Sequence, residues 1–525
     1  MQTLQVVALD SARLGGFNRT SMKPIEAYEQ LVTAIRETSL LDSIGSLMSW
    51  DEHTYLPPKA PGHRANQQAL IARMSHQSFT SPRIGELLQV IEQSDLMSPP
   101  DSDAAANARE LRRLYDRAKK LPTSLVEEMT RTAVLAQAAW VQAKTKSNFA
   151  TFEPWLDKTI QLKRQEASCV GYAKNPYDAL LDAYEPAETA ENVQRVFDSF
   201  RPRLVNLIGR IVGSSRKAPV HLLERKYPND LQDKLAREAA AAVGFDFDAG
   251  RLDITVHPFC SGLGPGDTRI TTRYDENFYG DALFSVLHEV GHALYEQGLP
   301  KEQYFGLPIA ESVSLGIHES QSRMWENLVG RSRSFWKFFF PKVRQAFGAT
   351  VADITEDQWL FAINDVHPSL IRTESDETTY NLHVMLRFEL EQAMIGGQLN
   401  AKDIPAVWND RMESYLGVRP TDDARGCLQD IHWSLGSIGY FATYSLGNLY
   451  AAQFFEQGRK DLGDLDAMFA RGEFKPLLDW LREKIHRHGK RYTARQLVKR
   501  ITGSELSADP LMRHLENKAR EFYHV

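Results

Sequence analysis

Apolar residues recur every three to four positions along most of the chain. Between Lys23 and Trp50 the set Tyr28, Leu31, Val32, Ile35, Leu40, Leu41, Ile44 and Leu47 follows helical spacing. Pro57, Pro58, Pro61 and Gly62 mark a loop, and helical spacing resumes from Gln67 to His76. Further helices are predicted over Ala104–Lys120, from the Pro122-Thr123-Ser124 cap to about Ser147, and over Phe152–Tyr172 and Glu191–Val212. One region departs from this period. Leu252–His257 and Thr268–Tyr274 alternate, with the glycine-rich run Ser261–Asp267 between them, which predicts two short strands around a turn. Helix returns at Tyr279 and is predicted again over Pro308–Val329, Glu356–Val366, Glu377–Met394 and Ile404–Tyr415. Trp433–Phe455 is a long apolar stretch, broken by Gly436, Gly439 and Gly447. It is too polar to span a membrane and reads as a core helix. The expected fold is mostly α: one large multi-helix domain with a small β element.

Composition changes this picture little. The 525 residues are 42% apolar and 25% charged, enough for a large core, and no shift in composition divides them. The net charge of -6 favours neither nucleic acid nor an anionic membrane as a partner. The basic run Lys484–Arg491 reads as a solvated helix end. Cys169, Cys260 and Cys427 are odd in number and far apart, so buried free thiols and a reducing cytoplasm are expected. Residues 1–22 lack a long apolar core or basic leader and read as an N-terminal extension, with the functional domain over 23–525.

The strongest chemical signal is His288-Glu289-Val290-Gly291-His292, set inside the apolar run Ala282–Tyr295. Residues i and i+4 share a helix face, so both imidazoles can reach one metal ion. Glu289, beside the first histidine, is then placed to take a proton from water held at that ion. By chance such a pattern arises in about 3 of 100 chains of this composition. A catalytic zinc needs a third protein ligand and an open position. Glu296 lies on the same helix and is poorly placed for this. The run Pro308–Gln321 offers Glu311, His318 and Glu319, and spacing alone does not separate Glu311 from Glu319.

Several ordered motifs go further. They are His257-Pro258-Phe259, Asp267-Thr268-Arg269-Ile270-Thr271, the H-E-x-x-H, His318-Glu319-Ser320, Ile371–Asp376 and Gly426–Trp433, with Ser49-Trp50-Asp51, Pro57 and Arg64 near the start. In these the chain resembles the thermostable carboxypeptidase (carboxypeptidase Taq) family of zinc metallocarboxypeptidases, from about residue 25 to the end. It departs at Ser375, where the family has alanine. The resemblance implies His288, His292 and Glu319 as ligands of one Zn2+ per subunit, with Co2+ as a substitute. It implies a deep substrate groove and release of single C-terminal residues, proline excepted, from peptides with a free C-terminus. It also implies a cytoplasmic homodimer, Arg372 as receptor for the terminal carboxylate, and His257 and Arg269 at the closed end of the groove.

Chemistry suggests further members. Glu289 serves as general base. His432 and Tyr440 could stabilise the tetrahedral intermediate, although aromatic residues beside an apolar helix are more often core. Asp267 suits a turn as well as a substrate contact. For Arg372 the structural alternative is an ion pair with Glu374 or Asp376. Two other functions compete: an oligopeptidase of the thimet type cutting inside short peptides, and a helical zinc protein that binds peptides without cutting them.

Overall fold

The computed structural model describes residues 22–525, so the extension expected over residues 1–22 lies outside it except for Met22. The described residues include twenty-one α-helices and one three-stranded sheet, joined by short 3-10 and π-helical turns and loops. The labels used here are α1 (Pro24–Thr54), α2 (Pro61–Phe79), α3 (Gly280–Gly298), α4 (Leu315–Arg323), α5 (Tyr380–Ile395), α6 (Ala442–Leu462), β1 (Gly250–Ile254), β2 (Cys260–Gly264) and β3 (Asp267–Thr272).

The molecule is mostly helical with a small β element, as the periodicity implied. Most buried apolar side chains form one continuous core around α3, α4, α5 and α6. A smaller core gathers Leu31 and Ile35 of α1 with Leu87, Leu88 and Ile91 of a neighbouring helix. The apolar stripe predicted on α1 therefore divides. Leu31 and Ile35 are buried, whereas Leu40, Ile44 and Leu47 are 41–55% exposed.

Three sequence expectations need correction. The glycine-rich run read as a turn contributes all but the first residue of β2, so the sheet has three strands in the order β1-β3-β2. β1 runs parallel to β3 (Gly250 opposite Thr268, Ile254 opposite Thr272). β2 runs antiparallel to β3, with an irregularity between Gly262 and Gly264. Glycine hid this strand because only Leu263 of β2 is buried, so no alternation shows. The stretch from Trp433 is also not one helix. Gly436 and Gly439 have positive φ, and regular helix begins only at Ala442. No helix among the described residues is long and apolar enough to cross a membrane. The basic run at 484–491, finally, is a solvated helix end only in part: Lys484 closes a helix and is exposed like Arg487, whereas His486 is fully buried and Arg491 pairs with Asp103 at 2.6 Å.

Two devices position α4. Its N-terminus is capped by Ser314, whose hydroxyl accepts from the Ile317 N–H. The Gly316 N–H donates to the fully buried Glu185, whose carboxyl burial raises to about 8. Glycines set the spacing. A Cβ on Gly291 of α3 would lie 2.5 Å from the Gln321 carbonyl oxygen, so only glycine lets the backbones of α3 and α4 meet. A Cβ on Gly447 of α6 would lie 2.5 Å from Glu319 Cγ on the other side of α4.

Two expected outcomes follow from this packing. Gly291→Ala should lower stability by about 1–3 kcal/mol, despite alanine's better helix propensity, because backbone must move. Gly209→Ala, at a helical site with nothing within 4 Å, should be neutral or stabilising by up to ~1 kcal/mol. Thermal unfolding of the two variants checks the contrast. The second outcome concerns pH. Because the folded carboxyl of Glu185 titrates above its ordinary unfolded value, its contribution is complete below pH ~4.5 and is lost as pH rises through about 8. Melting temperature should fall across that window, and Glu185→Gln should flatten the fall; an unchanged slope would exclude Glu185 as its source.

Candidate metal centre

α3 is buried around most of its circumference, with Val286, Leu287, Val290, Ala293 and Leu294 all fully buried. The remaining face carries His288 and His292, and α4 faces it with Glu319, itself 6% exposed. Glu319 Oε2 lies 3.7 Å from His288 Nε2 and 3.4 Å from His292 Nε2. One donor atom from each of the three residues falls within 4.8 Å of the others. Ligands about 2.0–2.1 Å from one tetrahedral ion lie roughly 3.3 Å apart, so the three atoms suit a single zinc. Two imidazoles and one carboxylate leave a fourth position open for water or substrate. Glu311, the other glutamate left open by spacing, instead lines a cavity of about 650 Å³ beneath α1 and α2.

The partners of these ligands agree with such a site. His288 Nδ1 is 2.8 Å from Glu326 Oε2, which places the ring proton there and leaves Nε2 free to ligate. Arg323 Nε donates to Glu319 Oε1 at 2.7 Å, and its Nη1 donates to Glu326 at 3.3 Å. Burial opposes the charge on Glu319, but Arg323 and the two histidines outweigh it and hold this carboxyl well below the usual range. Burial, the leading cause, lowers His292 well below the usual imidazole range, which keeps the ring neutral as a ligand must be. Glu289 is 7% exposed, and burial, reinforced by Glu319 and Glu326, pushes its carboxyl up to about 7.

A second group gathers around Arg372. Its Nε and Nη2 donate to Asp430 Oδ1 at 3.0 and 2.8 Å, and Nη1 donates to the Tyr380 hydroxyl at 2.7 Å. Its ion-pair partner is therefore Asp430, not Glu374 or Asp376. Asp430 also holds the buried Arg387. The Tyr380 ring stacks under Arg323 at 4.4 Å, so one chain of contacts links Arg372 to the ligand Glu319. His432 Nε2 is 3.3 Å from the Tyr444 hydroxyl, and the Tyr444 ring lies 5.2 Å from Tyr440 and 4.9 Å from Arg372. Burial, then the Glu319 charge, raises the Tyr440 hydroxyl to about 12. Burial leads in lowering His432 to about 4. Glu391 of α5 fixes the loop that carries His432, accepting from Trp433 Nε1 and the Gly439 N–H, both at 3.0 Å.

The residues named from the sequence thus fall into three places. His288, His292 and Glu319 meet at one point, and buried Glu289 adjoins His288 on the same helix. Arg372, His432 and Tyr440 cluster through Tyr444. Asp267 and Arg269 lie on the sheet, paired at 2.8 Å, with Arg269 4.3 Å above Trp50 of α1, while His257 is exposed on the loop between β1 and β2. Asp267 therefore serves as an ion-pair partner. Sequence reasoning misses Glu326, Arg323 and Tyr380, and it assigns no role to Asp430 of the Gly426–Trp433 motif or to Tyr444. Arg323 had a signal, lying one helical turn after Glu319. Glu326 had none, because it sits on a π-helical turn (Met324–Val329) where α-helical spacing misplaces it.

Comparison with known proteins agrees with this geometry. Residues 30–519 match the family model described as carboxypeptidase Taq (M32) metallopeptidase. The chain is 46% identical over 512 residues to thermostable carboxypeptidase 1 of Thermus thermophilus, covering 96% of this chain and 100% of that one. It is 37% identical to carboxypeptidase 1 of Bacillus subtilis, covering 95% and 99%. The crystal structure of an M32 carboxypeptidase from Deinococcus radiodurans superposes with a TM-score of 0.92 at 39% identity, covering 95% of this chain and 100% of that one. With its zinc-type His-His-Glu centre in place, the chain belongs to the carboxypeptidase Taq (M32) family of metallopeptidases.

Proposed function

We propose that this zinc-dependent carboxypeptidase releases single residues from the free C-termini of peptides, with broad side-chain preference but not for proline. The carboxypeptidase activity itself follows from the family and the metal centre. The observation that carries the mechanism is the convergence of His288 Nε2 and His292 Nε2 on Glu319 Oε2, with buried Glu289 between the two histidines on the same helix. Zinc, when bound, supplies Lewis acidity toward water and the scissile carbonyl. Glu289 takes the proton of the attacking water and delivers it to the leaving nitrogen.

Arg372 binds the terminal carboxylate. Its contacts with Asp430 and Tyr380 use three N–H groups and leave one on each terminal nitrogen. Two such donors match a carboxylate, and Asp430 and Tyr380 hold the fork in place. His432 and Tyr440 donate hydrogen bonds to the carbonyl oxygen as negative charge develops on it. Among the described residues the buried His432 Nδ1 has no hydrogen-bond partner, so its hydrogen-bonding capacity is unused. We place the upstream part of the peptide in a groove reaching the cavity beneath α1 and α2, beside Gly262 and Leu263 of the edge strand β2. His257, Asp267 and Arg269 would wall its closed end. The resemblance supports a homodimer in the cytoplasm, and the net charge of -6 supports peptides rather than nucleic acid or membranes as partners.

Two outcomes are expected. Glu289→Gln should retain zinc and lose about 10²–10⁴-fold in kcat; a zinc-loaded variant with full kcat would refute the general-base role. Arg372→Ala should lose most activity on a peptide with a free C-terminus, and the wild type should discriminate strongly against the same peptide with an amidated C-terminus. Rates by mass spectrometry check both. Internal cleavage of the amidated peptide would point to an oligopeptidase, and no cleavage by zinc-bound wild type would point to a peptide-binding protein.

A further inference from the structure

Three polar side chains beside the metal centre have no part in the chemistry above: His318, Glu296 and Lys301. The structure assigns them a positioning role, in which they determine which ring nitrogen of His292 carries its proton and thereby hold Nε2 ready for zinc. The assignment rests on the metal-centre reading.

The contacts form a directed chain. His292 Nδ1 lies 2.5 Å from His318 Nδ1. With Nε2 given to the metal, the proton of His292 must sit on Nδ1 and be donated. His318 Nδ1 must then accept, which places the His318 proton on Nε2. That nitrogen lies 2.7 Å from Glu296 Oε1, the acceptor it requires. The other Glu296 oxygen is paired with Lys301, itself 8% exposed. Every proton in the chain therefore has one place to be, and reversing any member leaves two donors or two acceptors facing each other. Burial opposes the Glu296 charge, yet the hydrogen bond from His318 and the charge of Lys301 hold its carboxyl below the usual range.

The surroundings are shaped around the chain. The Tyr295 ring packs 5.3 Å from the His318 ring. A Cβ on Gly262 of β2 would meet the Glu296 carboxylate and lie 2.7 Å from Lys301 Nζ, so glycine on that strand makes room for the ion pair. The arrangement complements that of His288, which has a single carboxylate on Nδ1. A neutral imidazole between His292 and the carboxylate keeps full negative charge off this ligand. Glu296, too poorly placed to ligate, thus acts on the metal at one remove.

The test is zinc affinity, measured by competition with a chelator of known strength and read independently of activity. His318→Phe should weaken zinc binding by about 10–100-fold. His318→Asn, whose carbonyl oxygen replaces the Nδ1 acceptor, should recover affinity to within about five-fold of wild type. The melting temperature of each metal-free variant separates this effect from folding. Zinc affinity of His318→Phe within about two-fold of wild type would overturn the assignment, as would a His318→Asn variant no better than phenylalanine. Should His318→Phe not fold, the double variant Glu296→Leu/Lys301→Met carries the test. It removes the ion pair whole and should weaken zinc several-fold, and unchanged affinity would overturn the assignment. A wild type that takes up no zinc in the same titration would refute the metal-centre reading itself.

Discussion

The close approach of α3 and α4 at Gly291 is the constraint on which the site depends. Two histidines one turn apart supply only two ligands, and no residue of the same helix reaches the third position well. Glu319 must come from a second helix, and its short side chain reaches only if the two backbones nearly touch. Gly291 permits that contact on one side of α4 and Gly447 on the other. Ser314 and Glu185 fix where α4 begins. The carboxylate is thus placed by backbone packing, which is stiffer than any side chain.

The second feature is how buried charge is paired. Glu319, Glu326 and Arg323 lie together around the ligands, and Arg372, Asp430 and Arg387 lie together around the proposed carboxylate receptor. Taking such groups out of water is costly unless each has a partner, and here each does. Tyr380 joins the two sets, stacking on Arg323 while accepting from Arg372. A substrate carboxylate at Arg372 would therefore enter an environment already organised by the metal ligands, with the Tyr380 ring packed between the two sets.

Much of this was legible in the sequence, for physical reasons that differ by residue. His288, Glu289 and His292 follow from helical spacing alone. Glu319 could not be separated from Glu311 by spacing, since both lie in a run that permits either. The difference is that the N-terminus of α4 falls at Leu315, which puts Glu311 outside the helix and beside a cavity. The mostly helical fold follows from periodicity, but β2 was read as a turn because its glycines serve close packing against Glu296 and carry no hydrophobic signal. The helix expected from Trp433 failed at Gly436 and Gly439, whose positive φ belongs to a loop that delivers His432. Tyr380 carries no signal as a site member, and Asp430, though inside the Gly426–Trp433 motif, and Tyr444, though near Tyr440, gain a partner only when folding brings these distant segments onto Arg372.

X-ray absorption at the zinc edge of the loaded wild-type protein tests the centre most directly. Two imidazole nitrogens with oxygen-only remaining donors, all at about 2.0–2.2 Å, are the expected first shell. A sulfur donor at about 2.3 Å, or a fit that needs only one imidazole, would contradict a centre built from His288, His292 and Glu319.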